Sequence, residues 1–123
     1  MFHIYNSAGI VLTAFCLGYI RNNQANKAID LFSEIKNPNE VIINLMFNAC
    51  AQLQTTEALN LTKKICKEMP QPFHSDPYIL TSLLDVFMKC GDVANAQSLF
   101  DSSTKKVLPM YGSMMKGKKY FCL

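Results

Sequence analysis

The sequence lacks most of the residues from which catalytic and metal chemistry is built. Among 123 residues there is no tryptophan, and His3 and His74 are the only histidines. The five cysteines, Cys16, Cys50, Cys66, Cys90 and Cys122, are odd in number and widely spaced, with no C-x-x-C pair. Zinc and haem sites need clustered ligands at set spacings, so no metal or other cofactor is expected. Reduced, mostly buried thiols in an intracellular protein account for the cysteines better than a disulfide framework. The five glycines build no phosphate loop, and the acidic residues sit singly on polar faces or at helix starts. No catalytic constellation follows, and an enzyme is not expected.

Charge is also scarce, at 17% of residues and a net +3. That balance permits an acidic partner without requiring one. The basic residues are uneven, because Lys105, Lys106, Lys116, Lys118 and Lys119 crowd the C-terminal end. A solvated polar tail and a phosphate-binding one both fit. Met1 to Ile20 carries no charge at all, which invites a signal or membrane reading. No basic residue precedes the apolar part, and Asn6, Ser7 and Gly9 interrupt it. Its continuous portion, Ala8 to Ile20, is short for the roughly 20 residues that span a bilayer. No membrane helix is expected. An arginine-rich presequence is not visible either, since the first arginine is Arg21.

What the chain does have is helical periodicity. Half its residues are hydrophobic. In the stretch Ser75 to Ser103, Asp76 precedes Pro77 and can cap a helix whose first position is the proline. Leu80, Leu83, Leu84, Phe87 and Met88 then share one face. Gly91 supplies a left-handed stop, and Asp92 caps a second run with Val93, Ala96, Leu99 and Phe100 on one stripe. This is a helical hairpin that cannot bury both apolar faces alone. Elsewhere the pattern is the same. Arg21 to Gln24 is a polar turn, and Ala28 to Ile35 is an amphipathic run stopped by Asn37-Pro38. Val41 to Leu53 is a second apolar helix. After a threonine cap at Gln54 to Thr56, Ala58, Leu61, Ile65 and Met69 follow at helical spacing. Lys63, Lys64 and Lys67 face water, and Pro70, Pro72 and Pro77 bound a linker.

The hairpins recur. Gly18, Ala49, Val86 and Gly117 hold one place in successive first helices, at steps of 31, 37 and 31 residues. The second helices share an Ala-x-x-Leu core: Ala28/Leu31, Ala58/Leu61 and Ala96/Leu99. The expected fold is all-α, an α-solenoid of about three helix-turn-helix hairpins. Residues 1–11 are expected to be irregular or foreign to the array. Residues 12–38, 39–76 and 77–106 form three repeats. Residues 107–123 give the first helix of an incomplete fourth repeat plus a tail, so a fragment of a longer array is expected. Tyr5-Asn6-Ser7 resembles Tyr111-Gly112-Ser113, yet Ala8 to Leu17 intervenes before Gly18-Tyr19.

Asp85-Val86-Phe87-Met88-Lys89-Cys90-Gly91-Asp92-Val93-Ala94-Asn95-Ala96 resembles a pentatricopeptide repeat of the class that alternates short, long and standard units. Gly18 to Gln24 followed by Lys27 to Phe32 resembles another, and the unit with Asn44 and Ala49-Cys50-Ala51 resembles the long type. Tetratricopeptide repeats, the structural alternative, keep a period near 34 and carry a tryptophan and tyrosine signature that is absent here. The resemblance implies single-stranded RNA binding, one base per repeat, along the groove of first helices. It implies Asn44 as base reader with Asp76 as partner, a combination that resembles a uracil-preferring one. Val41 and Tyr78 would flank the base. In the short unit the reader would be Thr81, with Lys106 or Val107 as partner, and in the first unit Thr13 with Asn39. It further implies RNA processing in an organelle, the mitochondrion, although no targeting sequence is visible; a cytoplasmic protein is the default otherwise. A protein-interaction scaffold with a peptide in the groove is the competing function. Self-association through exposed solenoid ends is also expected.

Overall fold

The computed structural model describes residues 2–35 and 37–121, with side chains over 11–35 and 37–115. Met1, Lys36, Cys122 and Leu123 lie outside the described residues, as do the side chains of Lys116, Lys118 and Lys119. The described residues form seven α-helices and no strand. They are α1 (Phe2–Arg21), α2 (Ala25–Phe32), α3 (Glu40–Leu53), α4 (Thr56–Glu68), α5 (Pro77–Lys89), α6 (Val93–Ser102) and α7 (Leu108–Phe121). A short 3₁₀ turn, Gln71–Ser75, joins α4 to α5.

The helix starts follow from short polar side chains that satisfy orphan N–H groups. Asn39 accepts from the Ile42 N–H at 2.9 Å, and Thr55 from Ala58 at 3.1 Å. Asp76 accepts from Tyr78 at 2.9 Å, with Pro77 at the first helical position where its missing N–H costs nothing. Asp92 accepts from Asn95 at 3.3 Å. The turn after α5 reverses through Gly91 at φ 83°, and the Asp92 N–H closes it on the Phe87 carbonyl at 2.8 Å. The turn after α1 is built alike, with Asn23 at φ 59° and the Gln24 N–H on the Tyr19 carbonyl at 2.7 Å. Asparagine tolerates that left-handed conformation better than most L residues do.

The N-terminus departs from expectation. Residues 2–11 are not irregular but belong to α1, a continuous 20-residue helix. The stretch holds no proline, and one glycine, Gly9, costs only about 1 kcal/mol in a helix. Asn6 and Ser7 interrupt the apolar pattern without breaking the backbone. The second helix of the first hairpin is shorter than expected. It ends at Phe32, and Ile35 falls in the following turn, where its N–H meets the Phe32 carbonyl at 2.9 Å.

The helices form three hairpins, α1–α2, α3–α4 and α5–α6, with α7 packed after them. First helices lie beside first helices, α1 on α3, α3 on α5 and α5 on α7. The core runs between this layer and the second helices. Ile43, Met46, Phe47, Leu84, Val86 and Met88 are buried there. Each such aliphatic or aromatic side chain contributes about 1.5–3 kcal/mol by leaving water. Ala28, Ala58 and Ala96 are buried where the paired helices approach, and Leu31, Leu61 and Leu99 pack partly buried beside them. Polar ties join successive hairpins. Gln52 Nε2 donates to the Ile20 carbonyl at 2.9 Å, and Lys63 Nζ stands 3.5 Å from the Asp92 carboxylate. Burial pushes up the thiols of Cys16, Cys50 and Cys90, and that of Cys66 to about 11. A raised pKa keeps a thiol protonated near neutral pH, and all four pack in or against the core. Among the described residues no cluster of three or more metal-ligating side chains occurs, and no helix is long and apolar enough to cross a membrane.

Candidate functional site

Parallel stacking of first helices exposes one rail of side chains from each, and helical period decides which. Asn44 and Asn48 on α3 are four residues apart, as are Thr81 and Asp85 on α5, so each pair shares a face. Between α3 and α5, Asn44, Asn48 and Thr81 line a pocket of about 470 Å³, with Tyr78, Lys105 and Val107 at its walls. A second pocket of about 290 Å³ continues between α5 and α7, past Asp85 to Gly112 and Ser113. The two share Asn48, Thr81, Ser82 and Pro109, so they form one groove across three first helices.

Asn44 is the unusual member. Its Oδ1 is buried and has no hydrogen-bond partner, alone in this among the described side chains. A buried acceptor left unpaired costs about 1–3 kcal/mol, so a group facing the groove that supplied a donor would recover that energy. Thr81 stands 37 residues later, in the matching place on α5. Its hydroxyl donates to the Pro77 carbonyl at 2.7 Å, which leaves only its oxygen lone pairs for the groove. Gly112, a further 31 residues on, presents no side chain, and a Cβ built there would meet nothing within 4 Å.

The flanking residues are open. Tyr78 is 77% exposed and Val41 52% exposed, each three residues ahead of its polar neighbour. An exposed tyrosine beside an unpaired amide gives both a flat apolar face and a hydrogen-bonding edge.

The other expected residues fall at the rim or away from the groove. Asp76 caps α5 and does not line the volume beside Asn44; it lies against Glu40. The side-chain hydrogen bond with Asp76 raises the Glu40 pKa, and the neighbouring negative charge adds to the rise. Asn39 is occupied as the cap of α3, and Thr13 is half-buried on α1; neither lines the two volumes. Lys106 donates from Nζ to the Ser103 carbonyl at 2.9 Å and sits 5.1 Å above the Phe100 ring. Of the two residues at that junction, Val107 is the one that lines the groove. Sequence reasoning missed Asn48, Asp85 and Ser82 as groove residues, and had Lys105 only as a member of the basic C-terminal cluster. The first two carried a usable signal, since each is one helical turn beyond Asn44 or Thr81.

Stacked helical hairpins with an open polar groove along their first helices define a repeat solenoid. A family model described as PPR repeat matches residues 17–37 and 78–106. The chain is similar to the pentatricopeptide repeat-containing protein At4g30700 of Arabidopsis thaliana, at 37% identity over 109 residues. That match covers 85% of this chain and 13% of the relative. It is similar also to the protein At2g02980, chloroplastic, of the same organism, at 28% identity over 110 residues, 86% of this chain and 18% of the relative. A third Arabidopsis relative, At1g33350, is 37% identical over 79 residues, 63% of this chain and 14% of the relative. The chain belongs with the pentatricopeptide repeat proteins and spans a small part of the length of these relatives.

Proposed function

We propose that the groove binds single-stranded RNA, one base per hairpin, as part of RNA processing in an organelle. The observation that carries this reading is the buried, unpartnered Asn44 Oδ1 beside the exposed Tyr78 ring. Asn44 offers donor and acceptor groups, which suits the edge of uracil. Tyr78 and Val41 flank the base on either side, the first by stacking. Asp76 bounds the same site from the rim as the partner of Asn44. In the next hairpin Thr81 reads with Val107, and in the first Thr13 with Asn39. The chain acts as a binding adaptor rather than an enzyme, and the mitochondrion is its proposed compartment.

The test is binding of the 123-residue chain to a pool of labelled single-stranded RNAs at low salt, beside duplex RNA of matched sequence. Selective single-strand binding that weakens with salt is the expected result. No binding to any single strand at low salt would overturn the reading. A protein captured equally well after ribonuclease treatment would favour the scaffold function instead.

A further inference from the structure

Asp85 lines the groove between α5 and α7, and among the described residues around that volume it alone carries charge. Its place on α5 matches that of Asn48 on α3, 37 residues earlier. The charge therefore belongs to one step of the groove and a neutral amide to the step before. Lys89 Nζ meets Oδ2 of Asp85 at 3.1 Å, one turn along the same helix. Both side chains stay partly exposed, so this pair is worth little to the fold, and it engages only one of the two carboxylate oxygens. Hydrogen bonding at this step is one-sided. A carboxylate only accepts. Thr81, one turn earlier, gives its proton to the Pro77 carbonyl at 2.7 Å, so towards the groove it accepts as well. The Ser82 and Ser113 hydroxyls turn to suit either kind of partner. Gly112 adds no side chain, which leaves the volume of about 290 Å³ open on the α7 side.

A phosphate brought to this step would meet a like charge, whereas Lys105 lines the adjoining volume. A strand in the groove therefore turns a base edge, not its backbone, to Asp85. The bases differ in what they offer to acceptors. Adenine, cytosine and guanine each carry an exocyclic amino group, which donates. Uracil has a single N3–H set between two carbonyl oxygens, and those oxygens are repelled by a wall of acceptors. On the reading of the groove as an RNA site, we infer that Asp85 determines specificity: its carboxylate accepts from the amino group of a base held between α5 and α7 and disfavours uracil there. Asn44 and Asp85 then select in opposite senses, the first for uracil and the second for any base that is not uracil.

The test is titration of the 123-residue chain at low salt with short labelled oligouridine, and with the same strand carrying one central adenosine, cytidine or guanosine. Each amino-bearing strand should bind about tenfold tighter than oligouridine, the worth of one hydrogen bond to a charged group. Replacing the adenosine by purine riboside, which keeps the ring and lacks the amino group, should cost the same factor of about ten. In Asp85→Ala the adenosine and purine riboside strands should bind alike. That ratio is unmoved by any general gain in affinity from losing a negative charge. If circular dichroism shows that Asp85→Ala has lost its helices, the two purine strands on the wild-type chain decide alone. Oligouridine that binds as tightly as the amino-bearing strands, or purine riboside that matches adenosine in the wild type, would overturn the inference and leave RNA binding standing. An adenosine advantage that persists in folded Asp85→Ala would overturn it too. Failure of every strand to bind would overturn the RNA reading itself, and this inference with it.

Discussion

Asn44 and Thr81 occupy the same place in successive hairpins and are in opposite states. The threonine hydroxyl is bonded back to its own helix at the Pro77 carbonyl, while the asparagine oxygen is buried with no partner. A β-hydroxyl four residues after a carbonyl can always reach it within the helix. Asparagine carries a planar amide that does not fold back so readily onto the i−4 carbonyl, and its oxygen is buried without a partner at the groove wall. The same backbone thus presents one side chain that is satisfied without a ligand and one that is not. The first position can accept a ligand; the second has something to gain from one.

The largest expected effect is at Tyr78, which stands between the two positions. Tyr78→Ala should weaken single-stranded RNA binding by about 1–3 kcal/mol, the usual worth of stacking one base. Because the ring is exposed, the melting temperature should barely move. A variant that loses stability as much as affinity would show that the ring serves packing. Val41→Ala, lacking a π face on either side of the change, should cost clearly less.

The third position can sharpen the contrast. Gly112→Asn places a second amide where nothing stands within 4 Å, so it should fit without displacing a neighbour. Gain of one net hydrogen bond, about 0.5–1.5 kcal/mol in RNA affinity, is expected from isothermal titration. Removing glycine from a helix should also add a few tenths of a kcal/mol to stability. Unchanged affinity would mean that RNA does not reach α7.

How much of this could be read in the residues alone varies along the chain. The third hairpin was legible almost completely, because Asp76, Pro77, Gly91 and Asp92 are strong local signals that agree with the apolar stripe. The Thr55 cap and the buried alanines of the second helices were legible for the same reason. The N-terminal helix was not. Its residues carry no cap and mixed polarity, and nothing local distinguishes a helix extended by propensity from an irregular lead. The groove was half legible. Asn44, Tyr78 and Thr81 were implied by the family resemblance alone, the lack of a partner at Asn44 depends on how the helices pack, and Lys106 turns back on Ser103 and Phe100 close by in the chain. That Asp76 faces Glu40 depends on how α3 and α5 stack, which no local pattern contains.

Lys105 is the lysine that lines the groove beside both positions. Lys105→Ala should reduce the slope of log affinity against log salt by about 0.7, the share of one phosphate on a single strand. An unchanged slope would place the phosphates elsewhere. The smallest effect concerns the brace behind the groove, where Lys63 meets Asp92. Partial burial alone would raise the Asp92 pKa, but hydrogen bonds from Asn95 and the nearby Lys63 ammonium outweigh it, and the pKa is lowered. The unfolded chain therefore binds that proton more readily. The stabilising contribution is full above the unfolded value, about 3.9, and is lost as pH falls through the folded one. Asp92→Asn should flatten that part of the acid-unfolding profile. Glu40 has the opposite sign, since its raised pKa makes its contribution present at low pH and lost as pH rises through the folded value.

The account turns on whether the Asn44 amide is held for a ligand rather than for the fold. Asn44→Ala measured for both thermal stability and single-stranded RNA affinity tests this directly. Removal of an unpaired buried oxygen should raise stability, by about 1 kcal/mol, while RNA binding weakens by a similar amount. Thr81→Ala should change both far less. An Asn44→Ala protein that melts lower than the wild type and binds RNA equally well would contradict the account.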